Sequence, residues 1–339
     1  MKIIQHKMTT FKGVAWNCGG LRSSSSQASS KSLYFEKTFQ TDFDIAFFLE
    51  THHKEEGEIP PEILRYSNTH HILHSPAAQD ESHAGIIALV NQTYEIVNNN
   101  SLIQGRILNI LIKDKSTGTL FNISGVYLDT NDKLNKTKIQ TIVSKLQQAH
   151  ENDPNSMIMG DFNFIDNEKD KTRGLREQDK LASRSWIPFL DKNDFIDPYR
   201  EQNPKRRIWS FIGTGRAGNS RIDRLYTHST KLANLSNMQY TPTPFGGHRV
   251  FSFTHRSHTE KGKSYYKLNT SILRDSQYKT IVTDTVKEIQ SLNETDPITK
   301  WGSFLSTIKA KSRLYSKRKG QIKRLLKTKL TKQIMKKRW

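Results

Sequence analysis

A single cysteine, Cys18, stands in 339 residues. No intramolecular disulfide is therefore available, and a reducing intracellular compartment is the expectation. Cys18 reads as a small buried side chain in the first strand. Nowhere does the sequence string together the roughly 18 apolar residues of a membrane-spanning helix. Met1 to Lys12 also lacks the apolar core of a secretory leader, so neither secretion nor membrane spanning is expected. Apolar residues are sparse, at 34%. A chain of this length nevertheless suffices for one domain of about 250 residues, burying about three-quarters of its unfolded surface, with an appendage.

What the sequence has in excess is positive charge. Its 53 Lys and Arg outnumber 33 Asp and Glu, for a formal net charge of +20. Residues 311–339 hold 13 of the basic residues and no acid, leaving 40 basic against 33 acidic residues elsewhere. A nearly balanced globule followed by a basic tail fits a polyanionic partner.

Short apolar runs recur at Gly13 to Trp16, Asp44 to Leu49, Gly85 to Val90, Ile107 to Ile112, Leu120 to Tyr127, Met157 to Met159, Ile222 to Tyr226 and Val250 to Phe253. Their length predicts buried strands. A helical spacing runs between two of them, from Lys133 to His150, which gives an alternating α/β plan with layered sheets. The Ser-rich stretch Ser23 to Ser30 reads as an exposed loop or the approach to a helix. After Phe253 the sequence turns polar up to Tyr265, which marks a domain boundary. Beyond it, Tyr278, Ile281, Val282, Val286 and Ile289 make one helical stripe, and Trp301, Phe304, Leu305 and Ile308 a second. In the tail, Ile322, Leu326, Leu330 and Ile334 recur every four residues among lysines, predicting a basic amphipathic helix.

Polar residues repeatedly close the predicted strands: Asn17, Glu50, Tyr127, Asp161 with Asn163, Asp223 and His248. In a layered α/β fold, strand ends converge on one rim, where ligands bind. Asp161 and Asn163 follow the run Met157-Ile158-Met159 through Gly160, and their spacing of two puts them on one face.

The segments Trp16-Asn17-Cys18-Gly19-Gly20-Leu21-Arg22, Leu49-Glu50-Thr51, Gly125-Val126-Tyr127, Gly160-Asp161-Phe162-Asn163, Ser220-Arg221-Ile222-Asp223-Arg224-Leu225 and His248-Arg249 come in this order. Each is weak alone, but together they resemble the endonuclease/exonuclease/phosphatase superfamily, of DNase I-like fold, across about Phe11 to Thr254. The resemblance implies a four-layered α/β sandwich, two packed mixed β-sheets flanked by helices, with a C-terminal helical extension. The expected division is a catalytic-type domain over 1–256, a linker over 257–265, a helical extension over 266–310 and a basic amphipathic tail over 311–339.

The resemblance also assigns roles. Glu50 binds a divalent metal, Mg2+ with Mn2+ as the alternative, and Asn17 supports that end of the site. Asp161 orients or deprotonates an attacking water, while Asn163 and Tyr127 hold phosphate oxygens. His248 donates to the scissile phosphate, and Asp223 fixes its tautomer and charge. Candidate nucleic-acid contacts are Lys171, Arg207, Trp209, Ser210 and Arg221.

Three positions depart from the family pattern. Gly246-Gly247-His248 stands where Ser-Asp-His is usual, so a carboxylate near the metal is replaced by glycine, implying reduced activity. Leu128-Asp129 replaces Ala-Pro after Tyr127, and Lys171 replaces an arginine after the Asp166 to Asp170 loop, exchanging a bidentate fork for a point charge.

Past the boundary, the segment from Tyr265 to Leu273 and on to the Trp301 stripe is similar to the one behind the endonuclease domain in LINE-type non-LTR retrotransposon polyproteins. No polymerase signature is present, so the chain is expected to be an amino-terminal fragment or a truncated element. The implied function is a metal-dependent phosphodiesterase that nicks DNA in the nucleus. Its alternative is a catalytically impaired nucleic-acid-binding module, owing to Gly247. RNA is a further candidate partner of the tail. His70, His71, His74 and His83 are read as solvated or packed histidines rather than a zinc site, because their spacing is uneven and no Cys accompanies them.

Overall fold

The strand β1 (Thr9–Asn17) is buried on both faces, and the two faces meet different cores. Phe11 and Ala15 point into one cluster of apolar side chains, Val14 and Trp16 into another. A strand covered on both sides is the interior strand of a layered sandwich. The computed structural model describes residues 9–130, 136–151, 153–172, 177–213, 218–257, 270–291 and 296–336. It falls into two compact units, residues 1–259 and 260–339.

In the first unit, β1 is followed by α1 (Ala28–Phe39), β2 (Ile45–Leu49), α2 (Pro61–Leu64), β3 (His70–Ser75), β4 (Ile86–Asn91), β5 (Tyr94–Ile103) and β6 (Ile107–Asp114). Then come β7 (Leu120–Tyr127), α3 (Lys136–His150), β8 (Ser156–Asp161), α4 (Glu177–Lys192), β9 (Phe195–Ile196), α5 (Pro198–Gln202), β10 (Asp223–His228), β11 (Leu235–Thr241) and β12 (Val250–Ser257). The strands form two six-stranded sheets, ordered β11-β12-β1-β2-β4-β3 and β5-β6-β7-β8-β10-β9. Each sheet contains one parallel pair near its middle, β1 with β2 and β7 with β8, among antiparallel neighbours.

Phe11, Phe47, Ile110, Ile123, Met157, Leu225 and Phe251 fill the space between the sheets. Phe35, Phe48, Ile63 and Leu89 join α1 and α2 to the outer face of the first sheet. Ile142, Leu146, Phe162, Trp186 and Tyr226 join α3 and α4 to the outer face of the second. The result is a helix–sheet–sheet–helix sandwich of DNase I-like architecture, as the resemblance implied. Helix α1 begins at Ala28, within the Ser-rich stretch. Its Phe35 packs on Trp16, Phe39, Phe43 and Phe48, so this aromatic cluster holds the helix despite a polar start.

In the second unit, α6 (Ser276–Gln290) and α7 (Pro297–Lys336) pack through Tyr278 and Tyr315, whose ring centroids lie 5.5 Å apart. The Tyr278 and Ser312 hydroxyls hydrogen-bond at 2.5 Å. Asp275 caps α6, its carboxylate accepting from the Gln277 backbone N–H. No helix among the described residues is long and apolar enough to cross a membrane.

Candidate active site

The parallel pairs β1/β2 and β7/β8 run out toward a common rim. In the second sheet the register places Tyr127 opposite Asp161, and Asp161 opposite Asp223, so three polar residues stand in one row across β7, β8 and β10. Gly160 makes this possible. Its φ is +145°, and a Cβ there would stand 2.0 Å from the Val126 carbonyl oxygen, so only glycine lets β8 lie this close to β7 before Asp161. The first sheet supplies Asn17 at the end of β1 and Glu50 just beyond β2.

The two halves meet in hydrogen bonds. Asn17 Nδ2 donates to Glu50 Oε2 and to Asp161 Oδ2, both at 2.8 Å. The Asn17 Oδ1 accepts from the Gly19 backbone N–H at 3.1 Å, which fixes the amide's orientation. Asp161 is fully buried, and its Oδ1 accepts from the backbone N–H of Asn163 at 2.8 Å. The Asn163 amide donates to the Leu128 carbonyl at 2.5 Å and to Asp161 at 3.3 Å. On the far side, His248 places Nδ1 3.1 Å from Asp223 Oδ2 and Nε2 3.7 Å from Asp161 Oδ2.

Burial and charge set the protonation states. Burial first, then the negative charge of Asp223, pushes the Asp161 carboxyl well above the usual carboxylate range. Desolvation works against a charged His248, but Asp223 and Asp161 outweigh it and hold the imidazolium up to about 9. A ring kept protonated is a hydrogen-bond donor rather than a metal ligand. Desolvation, with Glu50 and Asp161 nearby, pushes the Tyr127 hydroxyl far up, so it stays neutral. Glu50 is partly desolvated, yet hydrogen bonds from His52 and Asn17 hold its carboxyl below the ordinary value. Glu50 thus presents an ionised carboxylate at the rim, steadied by Asn17, and this suits a hard divalent cation.

These groups surround a cavity of about 580 Å³. Asn17, Glu50, Tyr127, Asn163 and His248 line it, together with Asp129, Lys171 and Phe211. Asp161 and Asp223 are buried behind this lining, bonded to Asn17 and His248.

The expected nucleic-acid contacts divide differently. Arg207 is exposed and Trp209 half-buried on the segment before Phe211. Ser210 is fully buried, its hydroxyl accepting from the backbone N–H groups of Ile222 and Asp223 at 2.9 Å each. It therefore braces the start of β10. Lys171 lines the cavity but is mostly buried and donates to Asp179 at 2.6 Å. Arg221 corrects the sequence expectation: it is 0% exposed, bonded to Asp170 at 2.8 Å through two nitrogens and paired with Asp197. A guanidinium so enclosed holds the loops together and does not reach a phosphate backbone.

Of three residues beside the site, His52 escapes the sequence reading, and Phe211 and His83 read there only as packed or solvated side chains. The Phe211 ring packs at a tilt against His248, ring centroids 4.8 Å apart. His52 Nε2 lies 3.3 Å from Glu50 Oε1, and His83 packs edge-on against His52 at 5.1 Å. The Gly247 departure also gains a cause. A Cβ there would stand 2.6 Å from both the Phe211 ring and the Ile212 carbonyl oxygen, so the glycine is what that ring requires.

The chain belongs to the endonuclease/exonuclease/phosphatase family, which it matches over residues 14–244. It is 25% identical over 207 residues to the transposon TX1 uncharacterized 149 kDa protein of Xenopus laevis. That match takes in 59% of this chain but only 15% of that relative's length. Among solved structures, the AP endonuclease LMAP from Leishmania major superposes with a TM-score of 0.61 at 14% identity, covering 73% of this chain and 88% of that one. The endonuclease domain of TRAS1, a telomere-specific non-LTR retrotransposon, gives a TM-score of 0.52 at 11% identity, covering 72% and 98%.

Proposed function

We propose that the protein is a metal-dependent phosphodiesterase that nicks DNA, the endonuclease part of a polyprotein derived from a non-LTR retrotransposon. Family membership supports a hydrolase of the nuclease and phosphatase type, and the likeness to a transposon protein and to a retrotransposon endonuclease domain supports this branch. The observation that carries the reading is the cluster of Asn17, Glu50, Asp161, Asp223 and His248 from both sheets, joined by short polar contacts, with Asn17, Glu50 and His248 lining one cavity.

Each side chain has a distinct part in the reaction. Asp161, its carboxyl raised toward the working pH, accepts the proton of the attacking water, while amide donors from Asn17 and Asn163 hold it in place. His248, kept cationic by Asp223, donates to a phosphate oxygen as charge builds there. Tyr127, neutral and lining the same cavity, offers a hydroxyl to a second phosphate oxygen. Mg2+, or Mn2+ in its place, held at Glu50 with Asn17 behind it, would supply positive charge to polarise the phosphate. Arg207 and Trp209 fit a contact with the DNA flanking the cleaved bond. The basic residues beyond Lys311 add affinity that salt weakens. The nucleus is the compartment that this role calls for.

A supercoiled-plasmid assay tests the proposal. The wild-type chain should nick in Mg2+, stop in EDTA, and lose at least about a hundredfold in rate on Asp161→Ala. The competing reading is a catalytically impaired nucleic-acid-binding module, which rests on the missing carboxylate at Gly247. It prevails if the wild-type chain binds DNA but leaves it intact in both Mg2+ and Mn2+.

A further inference from the structure

Beside Glu50 the cavity has two imidazoles, of His52 and His83, that the phosphodiesterase chemistry does not use. Just after β2 the backbone takes a left-handed conformation at Glu50, with φ +55°, and again at His52, with φ +62°. Neighbouring backbone holds this turn from two sides. Gly20 N–H donates to the Glu50 carbonyl at 2.7 Å, and His52 N–H donates to the Ala84 carbonyl at 2.8 Å. The second bond ties His52 to the residue next to His83, and the two imidazoles meet at 5.1 Å between centroids. One ligand atom from each of Glu50, His52 and His83 lies within 4.8 Å of the other two.

We propose that Glu50, His52 and His83 form a second metal site, for a borderline divalent ion such as Zn2+, with an open position toward the cavity. Two imidazole nitrogens and one carboxylate oxygen are a donor set for such an ion, whereas Mg2+ takes oxygen ligands. The geometry agrees. In a tetrahedral site with bonds of roughly 2.0–2.1 Å, neighbouring ligand atoms stand about 3.3 Å apart. His52 Nε2 and Glu50 Oε1 are 3.3 Å apart here. Glu50 and His83 both line the cavity, so a fourth ligand, water or a phosphate oxygen, enters from that side. Glu50 Oε2 remains on Asn17, which leaves Glu50 as the carboxylate shared between this site and the hard-cation position. The site rests on the proposed placement of Glu50 but not on the nicking reaction.

Cobalt substitution of the untagged full chain is the test. Added Co2+ should give the intense visible bands of a four- or five-coordinate ion, bleached by stoichiometric Zn2+ and unaffected by excess Mg2+. His83→Ala and His52→Ala should each weaken Co2+ binding about tenfold or more, as loss of a ligand requires. Asp161→Ala should keep the bands while losing nicking. Because His83 is exposed, its removal leaves the core intact, and unchanged melting of that variant without metal confirms this. Pale octahedral spectra from the wild-type chain, or equal Co2+ affinity in wild type and both histidine variants, would overturn the site. Absence of Mg2+-dependent nicking would overturn the phosphodiesterase reading and leave the cobalt titration unaffected.

Discussion

Gly247 and Phe211 occupy each other's space. The Phe211 ring sits where a side chain at position 247 would begin, 2.6 Å from an added Cβ, and the same ring packs at 4.8 Å on His248. Position 247 is thus part of the support of the imidazole. Restoring a carboxylate by Gly247→Asp is expected to destabilise the protein by about 1–3 kcal/mol through overpacking, and to lower activity rather than raise it. Phe211→Ala in the same chain should recover only part of the melting temperature, because the Ile212 carbonyl oxygen stands equally close to the added Cβ. Thermal denaturation of the two variants decides it.

Asp223 governs the charge of His248 from 3.1 Å. Asp223→Asn removes the largest of the charges that hold the imidazolium up to about 9. The proton then leaves at lower pH, so the basic limb of the pH–rate profile should move down, with Asp161 and Glu50 remaining as counter-charges. Nicking rates between pH 6 and 10 measure the displacement, and an unmoved limb would separate His248 from the rate.

His53, His150 and His255 are buried, and desolvation holds each imidazole neutral down to about 4. In the unfolded chain such a ring takes its proton near 6.5. As pH falls from 6.5 toward 4 the unfolded state therefore binds more protons, and stability present above this window is lost within it. Asp161 opposes the trend, since its raised carboxyl protonates first in the folded state. His255 isolates the effect, because neither ring nitrogen has a hydrogen-bond partner among the described residues. His255→Leu should raise the melting temperature at pH 5 by more than at pH 7.5.

Arg221 and Arg207 separate structure from binding. Arg221→Ala takes the guanidinium from half-buried Asp197 and leaves the buried Asp170 carboxylate with Arg200 alone, and should cost about 3 kcal/mol of stability. Arg207→Ala, at the surface, should leave the melting temperature in place and reduce the salt dependence of DNA binding by about one phosphate contact. Denaturation and a salt series on both variants distinguish the two roles.

The apolar runs foretold the eight interior strands of the two sheets, and the four without such a run, β3, β5, β9 and β11, are the sheet edges. An edge strand has less to bury. In β5, Asn98, Asn99 and Asn100 are exposed and the pairing slips by a residue after Ile96, so no apolar run forms. The rim residues were readable because strand ends bring them together whatever the loops do. Arg221 was misjudged because its partners, Asp170 and Asp197, lie 51 and 24 residues away in sequence. The His52–His83 pairing was hidden similarly: it depends on the hydrogen bond between His52 and Ala84 rather than on any spacing along the chain.

Asn17, with one amide group bonded to a carboxylate of each sheet, stitches the chemistry into the seam of the sandwich. Outer helices and edge strands lie away from that seam. They are free to diverge in length and sequence, and so to acquire new target preferences, while the reacting groups stay where the two sheets join.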